Sequence, residues 1–142
     1  HVYATRAEGV DYSKVQLEGW RTQQELLLEL SKGGGFGLVW GNSENPAEER
    51  DYYKENVSYK LTTYLAAGIP VVVPDYLSNV DYIREKGLGF VVSSLEEASR
   101  VVQECTEEEY DQMVTRAKYT AYLIKNGYFT KKLFIDSMML LD

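Results

Sequence analysis

Asn56-Val57-Ser58-Tyr59-Lys60-Leu61 sets a hydroxyl, a phenol and an ammonium just where a helical repeat begins. The free amides and positive end of a helix favour a phosphate, and Lys60 adds a full charge to a chain that is otherwise acidic. A basic residue in a first turn opposes the helix dipole, a cost that anion binding would offset. Spacing alone leaves a second reading open, an ordinary cap followed by a surface lysine. Trp20 and Arg21 stand between a strand-like and a helix-like segment, where an aromatic face could stack on a base and a guanidinium could meet phosphate. Packing of Trp20 as a hydrophobic staple fits the same position. Ser78-Asn79, at another helix start, and Gly41-Asn42 could approach a diphosphate or a sugar, although turn formation and capping explain them equally well.

Other chemistries lack material. The only His is the first residue, and the single Cys105 lies in a polar helical run without a His or a second Cys beside it, so neither a metal cluster nor a catalytic triad is expected. Gly33-Gly34-Gly35-Phe36-Gly37 precedes a strand instead of following one and is no phosphate loop, and no Gly-x-Gly-x-x-Gly opens a helix. Tyr82 to Lys86 and Tyr128 to Lys132 have Tyr-x-x-x-Lys spacing, but without that glycine fingerprint an epimerase or synthase is set aside. Glu48, Glu49 and Asp51 read as a solvated charge run.

The elements that must hold these residues follow from periodicity. Val15 to Glu18 alternates as a strand, and Thr22-Gln23-Gln24-Glu25 has capping-box spacing ahead of Leu26, Leu27 and Leu30. Phe36 to Trp40, Val71 to Val73 and Gly89 to Val92 are apolar runs expected as buried strands. Ala47 to Glu55, dense in charge of both signs, reads as a solvated helical excursion or a mobile loop, and helices are expected over Val57 to Ala67 and Ser78 to Lys86. Three more follow, from a capping box at Ser93-Glu96 to Glu104, from a box at Thr106-Glu109 to Lys125, and from Thr130 to Leu141. Strands alternating with helices indicate an α/β domain, a Rossmann-like parallel sheet with helices on both faces. Such sheets bind ligands at the carboxyl ends of their strands, which selects the loops 5–9, 19–21, 41–45 and 75–79 and the helix start near Ser58.

At 142 residues with 44% apolar composition the chain has the size of one domain with one core. The net charge of -7 removes nucleic acid and anionic membranes as partners, and no apolar run approaches the ~20 residues of a membrane span. A lone cysteine fits a reducing, cytoplasmic setting. His1-Val2-Tyr3, without an initiator Met or signal pattern, reads as the start of a piece of a longer chain.

Gly35 to Trp40, Ser58-Tyr59-Lys60-Leu61, Tyr64 to Val73, Gly87-Leu88-Gly89 and Gly127-Tyr128-Phe129-Thr130 together resemble the C-terminal half of the GT-B glucosyltransferases that extend O-linked GlcNAc on streptococcal serine-rich-repeat adhesins. The similarity runs from about Val15 to the C-terminus. It implies that residues 1–142 are the UDP-sugar-binding domain, and that an N-terminal domain holding the glycoprotein acceptor lies outside them. It also implies hexosyl transfer, with glucose from UDP-glucose, no bound metal or cofactor beyond the donor, possible homo-oligomers, and a fragment inactive by itself. Within the family the segment matching Ser58, Tyr59, Lys60 and Leu61 cradles the diphosphate, the position of Trp20 lies at the nucleotide, and Asn79 is a donor-side contact. Relatives commonly carry tyrosine where Trp20 stands, which preserves stacking but not a phenol contact. The family domain also begins with one more strand and loop before the part matching Val2-Tyr3. The reading from another class is a non-catalytic, regulatory α/β module of receiver type, for which only Asp75 has a suitable place.

Overall fold

The computed structural model describes residues 1–3, 11, 13–41 and 46–140. Loops 5–9 and 42–45 and Leu141, all singled out from the sequence, lie outside them. Three strands, β1 (Gly37–Leu38), β2 (Val71–Pro74) and β3 (Gly89–Val92), pair in parallel in the order β1-β2-β3. Helix α1 (Gln23–Lys32) precedes β1, α2 (Pro46–Glu55) and α3 (Tyr59–Ala67) lie between β1 and β2, α4 (Val80–Lys86) lies between β2 and β3, and α5 (Leu95–Glu104), α6 (Glu107–Lys125) and α7 (Tyr128–Met139) follow. The expected parallel α/β architecture is present.

Alternation along β2 shows why both faces need helices. Val71 and Val73 join Val39, Leu61 and Leu65 of α3, Ile83 of α4 and Leu88 in the larger core, while Val72 turns the other way to meet Val92 and Ala98 of α5. The β2 residues are buried throughout, so the strand reads as an unbroken Val run. β1 departs from the expected buried strand over 36–40. Only two residues join the ladder, and Leu38 remains 44% exposed at the sheet edge.

Two glycines are set by close approach. A Cβ on Gly37 would fall 2.3 Å from the Tyr64 ring, and one on Gly89, whose φ is +152°, would fall 1.8 Å from the Val71 carbonyl oxygen. Capping boxes form at Thr22-Glu25 and Thr106-Glu109 as expected. The box expected at Ser93-Glu96 is corrected by one residue. Ser94 caps α5 by accepting from the Glu97 N–H, and the Glu97 carboxylate accepts from both the N–H and the Oγ of Ser93. Helix α7 starts two residues earlier than expected, on the left-handed turn at Gly127. The Val15–Glu18 strand is reduced to a single parallel bridge, Val2 to Leu17, flanked by the bonds Val2 N–H to Gln16 and Glu18 N–H to Val2, both 2.8 Å.

Candidate nucleotide-sugar site

Each of α1, α3 and α4 enters a strand from its own C-terminus, so its first turn lies toward the carboxyl end of the sheet. There the polar candidates collect. Helix α3 begins at the N-cap Ser58, which is 6% exposed and places no side-chain bond on the amides of the first turn. The N–H groups of Tyr59, Lys60 and Leu61 precede the first i to i−4 bond, which runs from Thr62 to the Ser58 carbonyl at 3.2 Å. Among the described residues nothing accepts from these donors, and no acidic residue in that turn neutralises them.

Lys60 leans over the end of β1, where its Nζ donates to the Trp40 carbonyl at 2.8 Å. That contact places the ammonium where strand and helix end meet, on an exposed side chain free to exchange a neutral acceptor for an anionic one. Tyr59 is exposed beside it. Leu61 differs from its neighbours: its side chain is 2% exposed in the core, so only its amide faces the turn, and its apolar body anchors the helix that carries Lys60.

Asn79 is the N-cap of α4 and likewise makes no side-chain cap bond. Its Oδ1 accepts from Ser78 Oγ at 3.0 Å, and the same hydroxyl lies 3.3 Å from the Asn56 carbonyl. The Ser78 N–H donates to the Tyr53 carbonyl at 3.0 Å. These contacts hold the β2–α4 loop against the end of α2, two residues before Ser58, so the α3 and α4 starts form one neighbourhood. Arg50 lies over the Tyr76 ring at 5.2 Å, and Tyr53 packs on the same ring, which extends the junction.

Trp20 and Arg21 are placed at the start of α1. Trp20 is 69% exposed, so it is no staple. Arg21 turns onto its own helix, with Nε 3.0 Å from Glu29 Oε1 and Nη1 3.2 Å from the Trp20 carbonyl, and the Glu29 carboxylate holds the guanidinium above its ordinary pKa. Nη2 makes no bond among the described residues, so a phosphate contact by Arg21 would use it while the Glu29 pair holds the guanidinium. Sequence reasoning missed the Trp40 carbonyl and the Asn56–Ser78 tie, because backbone acceptors have no residue-type signature. Among the described residues no group of three His, Cys, Asp or Glu could hold a metal ion, and no helix is long and apolar enough to cross a membrane.

A parallel sheet with uncapped helix starts and a lysine at its carboxyl edge defines an α/β domain suited to anionic ligands. Residues 1–137 match the family described as "Glucosyltransferase 3-like, C-terminal domain", and the chain belongs to it. It is 56% identical over 138 residues to Glucosyltransferase 3 of Streptococcus gordonii, covering 97% of this chain and 41% of that protein. Identity to Glucosyltransferase 3 of Streptococcus parasanguinis is 37% over 119 residues, 84% of this chain and 34% of that one. Beta-1,6-galactofuranosyltransferase WbbI of Escherichia coli (strain K12) is 31% identical over 100 residues, 68% of this chain and 30% of that protein. The chain thus spans well under half the length of these relatives.

Proposed function

We propose that residues 1–142 are the donor-binding domain of a cytoplasmic glycosyltransferase, and that the site at the α3 and α4 starts holds the diphosphate of a UDP-sugar, with UDP-glucose as donor. The observation that carries this reading is the Lys60 ammonium beside three uncapped amides at the strand ends. Family membership and two relatives named as glucosyltransferases support it.

In the reaction so proposed, a hydroxyl of a glycoprotein-linked GlcNAc, held by polypeptide outside these residues, forms a bond to the anomeric carbon as the bond to the UDP oxygen breaks, and the hydroxyl proton passes to the departing diphosphate. The leaving diphosphate gains negative charge, which Lys60 and the amides of Tyr59, Lys60 and Leu61 stabilise more strongly than they do the ground state. Trp20 offers an exposed ring for the uracil, and Asn79 an amide for the sugar.

In the relatives' full-length form of the chain, Lys60→Ala should weaken UDP by roughly tenfold to a hundredfold in calorimetry, the worth of about 1.5–3 kcal/mol for a bond to a charged group. An unchanged affinity would remove Lys60 from the site.

A further inference from the structure

One hydroxyl stands between the α3 and α4 starts. Ser78 Oγ lies 3.0 Å from Asn79 Oδ1 and 3.3 Å from the Asn56 carbonyl, and the Ser78 N–H donates to the Tyr53 carbonyl at 3.0 Å. Asn56 is itself fixed at the end of α2, where its N–H and its Nδ2 both donate to the Tyr52 carbonyl, at 3.1 and 3.0 Å. Ser78 is therefore seated on α2 through two contacts, which sets the place of its hydroxyl beside Asn79.

What Asn79 does with its side chain is unusual for its position. An asparagine at an N-cap ordinarily turns its oxygen onto an amide of the first helical turn. Asn79 is the N-cap of α4 and makes no such bond, because its oxygen accepts from Ser78 instead. Thr22, Ser94 and Thr106 all cap their helices, whereas Ser58 and Asn79, the two capping residues that meet at this edge, do not. With Oδ1 held, the planar carboxamide has its Nδ2 directed away from the serine, and among the described residues nothing accepts from that nitrogen.

We propose that Ser78 is a positioning residue for the donor's sugar: by holding Asn79 Oδ1 and keeping it off the α4 amides, it leaves Nδ2 to donate to a hydroxyl oxygen of the hexose.

This role rests on the nucleotide-sugar reading of the site. It gives that site a single polarity. The amides of Tyr59, Lys60 and Leu61, the Lys60 ammonium and Asn79 Nδ2 are all donors, so the matching ligand carries acceptors throughout. Phosphate oxygens meet the first four, and a sugar hydroxyl oxygen meets the last. A hexose lacking that oxygen would leave Nδ2 unpaired and be disfavoured.

Ser78 acts here through Asn79, without touching the sugar, and that separates the role from a structural one. Ser78→Ala frees the Asn79 oxygen to cap α4, while the lost contact to Asn56 is exposed and open to water. The substitution should therefore weaken the sugar contact without lowering the melting temperature. A serine that merely braced the loop would, on removal, lower the melting temperature and weaken UDP and UDP-glucose alike.

Calorimetry on the relatives' full-length form of the chain, with UDP and UDP-glucose as paired ligands, tests this. Ser78→Ala should weaken UDP-glucose about three- to tenfold, the worth of one neutral hydrogen bond, and leave UDP within about twofold. Ser78→Thr should restore the native ratio, since the side chain is exposed and the added methyl has room. In an Asn79→Ala background, Ser78→Ala should not change the ratio further. An unchanged ratio in Ser78→Ala, equal weakening of both ligands, a loss that Ser78→Thr leaves in place, or losses that add in the double variant each overturn the positioning role while the UDP site stands. A native chain that binds neither ligand overturns the nucleotide-sugar reading, and this role with it.

Discussion

Lys60 owes its position to its immediate neighbours. Leu61 fixes the first turn of α3 in the core, and the next side chain back is thereby carried out over the end of β1, 2.8 Å from a carbonyl that offers only a partial charge. A diphosphate offers a stronger acceptor at the same place, so affinity for UDP should fall as ionic strength rises, more steeply for the native chain than for Lys60→Ala. The residue type and its helical offset were readable from the sequence. The acceptor, a backbone carbonyl twenty residues earlier, was not, and neither was the pairing of Arg21 with Glu29, which depends on how the entry to α1 bends. Gly89 is a residue-scale constraint of another kind. Its absent side chain admits the Val71 carbonyl, and Gly89→Ala should cost about 1–3 kcal/mol or more, seen as a lower denaturant midpoint with an unchanged slope.

At the scale of elements, caps decided the outcome where the sequence was most legible. Thr22-Glu25 and Thr106-Glu109 declared their helices because a hydroxyl and a carboxylate three residues apart serve each other's amides. Ser93 and Ser94 both carry hydroxyls, so two registers competed, and the one that lets Ser94 cap while Ser93 donates twice to Glu97 prevailed. Thr106→Ala should lower stability by ~1 kcal/mol in chemical denaturation. The bonds from Thr22, Ser93 and Thr106 hold the carboxyls of Glu25, Glu97 and Glu109 below their ordinary value of 4.5. A depressed folded value means stability that is complete above the ordinary carboxylate range and lost as pH falls through the folded values. The melting temperature should therefore hold steady down to about pH 5 and decline below it, and Glu97→Gln should flatten part of that decline.

Over the whole molecule, the three apolar runs gave the parallel sheet away, since strands covered on both faces need no polar alternation. The weakness of β1 was hidden, because its sequence is as apolar as that of β2. What differs is the number of neighbours, and Phe36 to Trp40 cannot announce that, among the described residues, β2 alone pairs with the strand. The same architecture brings Ser58, Tyr59, Lys60 and Asn79 to one edge, while Trp20 and Arg21 begin the adjacent helix. The claim that this edge binds a nucleotide sugar is tested most directly by amide chemical-shift mapping during titration of the relatives' full-length form with UDP and UDP-glucose. Saturable shifts centred on Tyr59, Lys60, Leu61 and Asn79 are expected, with smaller ones at Trp20. Shifts confined to other surfaces, or none at millimolar ligand, would contradict it.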